Sequence, residues 1–159
     1  MAIKQYRIDG RMLHGQSTQY GKLFSIDEYI VVNDAVSKDE LQISLLELVA
    51  PTCTVHVLSP ADTYDLIAAG KFHGTNTLVV FKEVEDAVDL LERGIKIPAI
   101  QVGGMFAKKG RERKQYDVTL FADEQDCAAF RKLENAGVKL SYQVVPDYKE
   151  KKLSSMIKY

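Results

Sequence analysis

Short apolar stretches alternate with amphipathic stretches along most of this chain. Tyr29–Val32 and Thr77–Phe81 are compact apolar runs, and helix-like spacings of three and four follow them. Near-continuous apolar strands separated by helices indicate a mostly parallel sheet covered on both faces. The pattern predicts one open, doubly wound α/β domain over residues 1–159. The predicted strands are Ile3–Ile8, Tyr29–Val32, Cys53–Leu58, Thr77–Phe81, Ile95–Val102, Val118–Phe121 and Val138–Val144.

Capping residues mark several helix boundaries. Ser37 and Glu40 have the spacing of a capping box at the start of one helix. Ser59 and Pro60 have the order typical of the start of the next helix, which Gly70 ends. The first of these helices carries one apolar face, made of Leu41, Leu45, Leu48 and Val49. The remaining predicted helices contain Tyr20–Phe24, Val84–Leu91, Asp123–Ala136 and Leu153–Ile157.

Composition excludes several classes of protein. The 159 residues include 21 Lys and Arg against 22 Asp and Glu, a net charge of −1, so a general nucleic-acid binder is not expected. The hydrophobic fraction of 46% excludes a disordered chain. Cys53 and Cys127 fit no metal or redox motif and are expected to be free thiols. We find no secretory signal and no span-length apolar run, and expect a cytoplasmic protein without metal or organic cofactor.

Ligands of open α/β sheets bind outside the carboxyl ends of the strands. Five loops should lie there: Asp9–Gly15, Asn33–Val36, Ser59–Pro60, Lys82–Glu83 and Gly103–Lys114.

The first of these loops carries the densest chemistry. Arg7, Asp9, Arg11 and His14 fall within eight residues, between a predicted strand and a predicted helix. Arginine supplies a planar fork that suits phosphate, and histidine can act as a covalent nucleophile. The cluster therefore indicates an anion site that contains a nucleophile. The alternative is an ordinary surface histidine in a solvated loop. Fingerprints of dinucleotide, P-loop and nucleophile-elbow sites do not occur in the chain.

The run R-I-D-x-R-x-x-H-G-Q from Arg7 to Gln16 resembles the signature loop of a known family. The family is the IIB components of the mannose/fructose/sorbose branch of the bacterial sugar phosphotransferase system. The resemblance extends along essentially the whole chain, and the further matching segments occur in the family's order. They are Ile30–Asp34, Val49–Pro51, Gly94–Ile97, Val102–Met105 and Gly137–Leu140.

The resemblance implies a fold and an activity. It implies an open, mostly parallel α/β domain in which His14 accepts a phosphoryl group from a phosphohistidine of a IIA component. The group then passes to a sugar held by membrane IIC and IID components, with which the cytoplasmic protein would associate peripherally. We expect phosphate to be bound by Arg7, Arg11, Gly15 and Gln16, with support from Asp9 and Asp34.

The chain departs from the family pattern at several places in and after the loop. Gly10 replaces an acidic residue, Met12 and Leu13 replace Leu-Ile, Ser17 replaces Val, and Gly21 replaces a common Trp. These departures leave the sugar subfamily and part of the partner surface open. The sequence also leaves the oligomeric state open, a homo-oligomer included.

Other candidates have simpler explanations. His56 alternates within an apolar strand and is expected to be a satisfied sheet histidine, while His73 precedes Gly74 in an exposed turn. Asp34 either orients the first loop or forms a turn. Gly103–Gly104 permits either close approach of a ligand or a tight turn. The basic residues of Lys108–Lys114 form either a solvated loop or a surface for an acidic partner.

Two other functions remain alternatives to a phosphocarrier. One is a flavodoxin-like module that binds a phosphorylated small molecule without chemistry. The other is a receiver-like signalling domain, although Asp9 and Asp34 lack a convincing lysine partner.

Overall fold

A seven-stranded sheet organises the computed structural model, which describes residues 3–15 and 18–159. Its strand order is β3-β2-β4-β1-β5-β8-β9, parallel throughout except for β9 against β8; β6 and β7 form a separate antiparallel pair. The bounds are β1 Ile3–Asp9, β2 Glu28–Val32, β3 Thr54–Leu58, β4 Thr77–Phe81, β5 Ala99–Gly104, β6 Lys114–Asp117, β7 Leu120–Ala122, β8 Lys139–Tyr142 and β9 Lys151–Lys152.

Five α-helices connect the strands in the described part of the chain. They are α1 Thr18–Leu23, α2 Glu40–Val49, α3 Pro60–Ala68, α4 Val84–Glu92 and α5 Glu124–Asn135, with 3-10 turns at Val36–Lys38 and Leu153–Ser155. The predicted fold class, a mostly parallel sheet with helices, is confirmed.

Two buried apolar clusters cover the sheet. Alternate residues of β2 divide between them, because successive side chains of a strand point to opposite faces. Ile30 and Val32 join the larger cluster with α4 and α5, whereas Tyr29 and Val31 join the smaller one with α1 and α2. The burial of β4 on both faces explains its uninterrupted apolar run.

The start of α2 differs from the prediction. Asp39, not Ser37, caps the helix by accepting a bond from the Gln42 backbone N–H at 3.1 Å. Ser37 lies in the preceding 3-10 turn, where its hydroxyl donates to the Asp34 carbonyl at 2.6 Å. Both residues are of types that favour N-caps, and the extra turn shifts the helix start by two residues.

The leucine face of α2 is exposed. Leu41, Leu45 and Leu48 are 71%, 53% and 73% exposed, whereas Leu46 and Ala50 face the smaller apolar cluster. Val49, the fourth residue of the predicted face, is partly buried against that cluster, so the helix packs through Leu46 and Val49 and leaves the three leucines in solvent.

Two strand predictions need correction. The predicted strand Val118–Phe121 lies outside the main sheet, because the chain makes a hairpin there and β7 starts at Leu120. The seventh strand of the sheet is instead the short β9, which pairs with β8 near the end of the chain. The predicted strand Ile95–Val102 begins later, since β5 starts at Ala99, after Pro98.

A partly buried carboxyl group at the start of α4, that of Asp86, makes the stability of the fold sensitive to pH. Oδ2 of Asp86 accepts bonds from the Glu83 backbone N–H at 2.9 Å and from Asn33 Nδ2 at 3.0 Å. Burial raises the pKa of this carboxyl group from 3.8 to about 6. Because the folded state holds the proton up to a higher pH than the unfolded chain, ionisation of Asp86 lowers the free energy of unfolding between those values.

We expect Asp86→Asn to stabilise the protein above pH 6 by roughly 1–3 kcal/mol, and to have little effect below pH 4. The amide oxygen can accept both bonds, and the charge is removed. Denaturant unfolding at pH 4, 5, 6 and 7 measures the difference. Asp89→Asn, on the same helix, is the control, because Asp89 is exposed and pairs with Arg93 at 2.6 Å. An Asp86→Asn effect that does not change with pH would contradict the explanation.

Candidate functional site

The loop that follows β1 starts at the middle of the sheet, because β1 lies between β4 and β5. The Met12 backbone N–H donates to the Asp9 carbonyl at 2.9 Å, and Met12 adopts a left-handed conformation with φ of 65°. The side chains of Met12 and Leu13 are buried in the smaller apolar cluster. These contacts turn the chain so that His14 returns to the end of β1.

One carboxylate joins the histidine to an arginine. His14 Nε2 lies 2.8 Å from Asp9 Oδ2, and Asp9 Oδ1 accepts the Arg11 backbone N–H at 2.9 Å. Arg11 Nε lies 3.5 Å from the same Oδ1. Asp9 is 1% exposed and His14 17%, so the carboxylate is shielded while the imidazole reaches the surface. A shielded carboxylate fixes the orientation and tautomer of a neighbouring imidazole.

Arg7 lies behind this group. It is 1% exposed, and its guanidinium donates to Gln101 Oε1 and to the carbonyls of Gln143 and Val144. Its Cζ lies 4.1 Å from the centre of the Tyr20 ring. Burial lowers the pKa of Arg7, and the neighbouring Tyr20 opposes that shift. This placement differs from the expectation that Arg7 binds phosphate directly, because its donors face the protein interior.

Gly103 and Gly104 make room for side chains of the site. A Cβ on Gly103 would lie 1.8 Å from Nη2 of Arg7, and one on Gly104 would lie 2.8 Å from the Phe106 ring and 3.2 Å from Asp9 Oδ1. The two glycines are thus explained by close packing against Arg7, Phe106 and Asp9.

The basic segment Lys108–Lys114 is tied to the protein by ion pairs. Arg111 forks onto Asp123 at 2.5 and 2.6 Å, which holds the pKa of that carboxyl well below its usual range. Arg113 is 4% exposed and binds Asp126 at 2.9 and 3.1 Å. These two arginines are therefore structural, and neither a solvated loop nor a surface for an acidic partner describes them.

The remaining predicted site residues have varied positions. Gly15 is exposed, and a Cβ there would lie more than 4 Å from every described atom outside its chain neighbours. Gln16 lies outside the described residues. Asp34 is 65% exposed and accepts a bond from Lys38 at 3.2 Å, in the turn before α2. This geometry favours the turn interpretation of Asp34.

The other histidines lie as predicted. His56 Nε2 is 2.7 Å from Glu28 Oε2 on the neighbouring strand, and its ring packs edge-on against Phe72. His73 is exposed in a turn. Cys53 and Cys127 are free thiols.

Several residues of the site were not singled out by the sequence. Gln101 and Gln143 bond to each other at 2.8 Å and both contact Arg7, and Tyr20 donates to Gln143 Oε1 at 2.8 Å. Phe106 lies against Arg11. A glutamine within the apolar strand β5 was the one available signal, because a buried amide requires a polar partner.

The described residues form neither a metal-binding cluster nor a membrane-spanning helix. Across 3–15 and 18–159, no three or more side chains of His, Cys, Asp and Glu come together as a metal site would require. In the same part of the chain, every helix is too short or too polar to cross a bilayer.

Comparison with known proteins identifies the family. The model of the PTS system sorbose subfamily IIB component matches residues 3–159. The mannose-specific EIIAB component of Escherichia coli K12 is 33% identical over 159 residues, covering 99% of this chain and 49% of that protein. The chain thus spans about half the length of the first curated relatives that it matches.

Shorter relatives match over nearly their whole length. The fructose-specific EIIB component of Bacillus subtilis is 32% identical over 148 residues, 92% of this chain and 90% of that protein. The structure of the IIBSor domain of the sorbose permease from Klebsiella pneumoniae superposes with a TM-score of 0.90 and 30% identity, covering 98% of this chain and 96% of that one. The resemblance of the signature loop is therefore confirmed, and the chain belongs to the sorbose subfamily of IIB components of the sugar phosphotransferase system.

Proposed function

We propose that this chain is a phosphocarrier in which His14 accepts a phosphoryl group from a phosphohistidine of a IIA partner and passes it to a sugar. As an enzyme it is a protein-N-phosphohistidine–sugar phosphotransferase, acting during sugar uptake through membrane IIC and IID components. The observation that most directly supports this proposal is the shielded Asp9 carboxylate, whose two oxygens join His14 to Arg11. The names of the relatives, which are sugar-specific components of the phosphotransferase system, support the proposal.

The contact with Asp9 selects the nitrogen that reacts. An Nε2–H that donates to Asp9 Oδ2 leaves the imidazole lone pair on Nδ1. In the transfer, this lone pair forms a bond to phosphorus while the phosphorus–nitrogen bond of the donor breaks, and the donor imidazole keeps that electron pair. The attacking ring becomes more positive as the bond forms. Asp9 stabilises that charge and keeps the ring in place.

Arg11 provides a donor for the transferred group. Its Nη2 is shielded from solvent and has no hydrogen-bond partner within 3–15 and 18–159, so it is a buried donor that lacks an acceptor there. A guanidinium N–H next to the histidine can bind a phosphoryl oxygen, and such charge-assisted bonds are strong. No described atom outside the chain neighbours would lie within 4 Å of a Cβ at Gly15, and we propose that the phosphoryl group is bound beside this residue. We propose Gln16 as a further phosphate ligand, and Arg7 as a residue that holds the end of β1 and Gln143 in position.

The proposal also covers location and partners. We propose a cytoplasmic protein that associates peripherally with the membrane components, takes its phosphoryl group from IIA and binds no nucleic acid. Light scattering of the purified protein measures whether it forms a homo-oligomer.

The deciding experiment follows a labelled phosphoryl group. The protein is incubated with radiolabelled phosphoenolpyruvate, enzyme I, HPr and a IIA component. Label that is lost in acid and kept in base is expected, because N-phosphohistidine has these stabilities. Protein that takes no label while IIA is labelled would support a binding module instead. Label with the opposite stabilities would indicate an acyl phosphate and contradict the assignment to His14.

Removal of the free donor should slow the transfer. We expect Arg11→Ala to lower the rate from phosphorylated IIA by about 30- to 100-fold, because one donor to the transition state is lost. Arg11→Lys should restore the rate in part, since a point charge replaces a planar fork. Rapid-quench single turnovers give the rate. Lys38→Ala is the control, because Lys38 is 74% exposed and pairs with Asp34. An Arg11→Ala protein with the normal rate would remove Arg11 from the site.

A further inference from the structure

Among residues 3–15 and 18–159, two contacts restrain the Arg11 side chain. Its Cζ lies 4.7 Å from the centre of the Phe106 ring, and its Nε lies 3.5 Å from Asp9 Oδ1. The side chain is 36% exposed. A long side chain with that exposure has many rotamers open to it, and ordering it costs free energy. Of the two contacts, the Phe106 ring offers the guanidinium a larger surface than the single Asp9 oxygen does.

The Phe106 ring is closely packed against two backbone segments. A Cβ on Gly10 would lie 3.4 Å from Cδ2 of the ring, and a Cβ on Gly104 would lie 2.8 Å from Cε2 and Cζ. The Gly10 backbone N–H donates to the Gly104 carbonyl at 2.8 Å, which ties the two segments together. The ring therefore rests directly on the backbone of both segments, and Gly104 is the position where a larger residue would displace it.

A buried ion pair anchors the backbone of Phe106. Its carbonyl accepts a bond from Arg113 Nη1 at 2.9 Å. Arg113 also binds Asp126 at 2.9 Å and Glu83 at 3.0 Å, and these carboxylates lie at the starts of α5 and α4. The backbone of Phe106 is therefore tied through Arg113 to the starts of α4 and α5, and its ring packs against the two glycines. A side chain fixed in this way can fix another that rests on it.

We infer that Phe106 is a positioning residue for Arg11, which it holds in the orientation that contacts the phosphoryl group on His14. The inference rests on the proposed function and extends it. Phe106 touches neither the phosphoryl group nor the imidazole in this scheme, and it acts through the guanidinium. A purely structural ring would change stability but would not depend on Arg11.

A double-mutant cycle separates these roles. Phe106→Leu keeps an apolar side chain and removes the aromatic face, and we expect it to slow transfer from phosphorylated IIA about three- to tenfold. In the Arg11→Ala background the same change should cost less than about twofold, because there is no guanidinium left to hold. Phe106→Tyr should restore the rate, since the aromatic face is kept.

A second phenylalanine serves as the matched control. Phe121 lies in β7, and its backbone N–H bonds to the Met105 carbonyl at 2.9 Å, one residue before Phe106. Phe121→Leu should transfer at the parent rate. Thermal unfolding of every variant shows whether each is folded at the assay temperature.

The outcomes separate a failure of the positioning role of Phe106 from a failure of the proposed phosphocarrier function. Equal losses from Phe106→Leu in both backgrounds, or no loss in either, would overturn the inference while labelled parent protein still supports the phosphocarrier. Parent protein that takes no label on His14 would overturn both. A loss that depends on Arg11 and is rescued by tyrosine supports the positioning role.

Discussion

Alanine at position 14 should abolish phosphorylation of the protein, with a loss of at least about a thousandfold in the rate of transfer from IIA. The reason is that the attacking imidazole lone pair is removed. A phosphoryl group transferred to the neighbouring Asp9 carboxylate instead would be an acyl phosphate, which the acid and base stabilities of the label distinguish from phosphohistidine. His14→Gln is a second variant, which keeps a polar side chain near the Asp9 carboxylate. The measurement is the incorporation of label from phosphoenolpyruvate through enzyme I, HPr and IIA.

His56→Gln and His73→Gln are the controls for His14. His56 is engaged by Glu28 within the sheet, and His73 is exposed in a turn. Both variants should be labelled at the normal rate. A folded His14→Ala protein that still carries label on a histidine would contradict the assignment of the nucleophile, and mapping of the labelled peptide would identify its replacement.

Asparagine at position 9 should slow transfer by about 10²- to 10⁴-fold while leaving the fold intact. The amide oxygen would accept the Arg11 backbone N–H, as Oδ1 of Asp9 does at 2.9 Å. The amide nitrogen would then face His14 Nε2 and donate to it. A ring that accepts at Nε2 carries its proton on Nδ1, so the nitrogen that attacks phosphorus in the parent protein has no lone pair.

Nitrogen NMR of the imidazole tests this explanation directly. The parent protein should carry the ring proton on Nε2 and the Asp9→Asn protein on Nδ1. Asp34→Asn is the matched control, because Asp34 is an exposed aspartate that follows the next strand and pairs with Lys38. It should transfer normally. A comparable loss in Asp34→Asn would instead support the interpretation in which Asp34 orients the first loop.

The parts of the fold that local chemistry determines could be predicted from the sequence. The helix α3 begins after Ser59, whose hydroxyl accepts the Asp62 backbone N–H at 3.1 Å, and the chain turns at Gly70 with φ of 75°. Strand β4 has the predicted bounds. In α2, however, apolar residues occupy two faces, and the buried one depends on contacts with the sheet rather than on helical spacing.

The site could be predicted as far as neighbours in sequence extend. Asp9, Arg11 and His14 meet because the loop between them is short. The surroundings of Arg7 could not be predicted, since its contacts with Gln101 and Gln143 cross 94 and 136 residues of sequence. The direction in which a buried side chain points depends on the arrangement of the whole sheet. A local sequence pattern does not contain that information.

Gly21 shows the same limit of local sequence patterns. A Cβ there would lie 2.0 Å from the Tyr29 hydroxyl, so the space beside α1 is filled from β2. Burial raises the pKa of Tyr29 to about 12. The glycine is thus explained by a tyrosine eight positions later in the chain.

Close packing between Gly103 and Arg7 makes the two positions epistatic. Any side chain at position 103 would overlap the guanidinium, whose Cζ would lie 2.7 Å from the new Cβ. The same substitution is therefore severe when arginine stands at position 7 and mild once that side chain has been shortened. Mutational paths that change both positions must pass through position 7 first, and a library that randomises position 103 alone should return glycine.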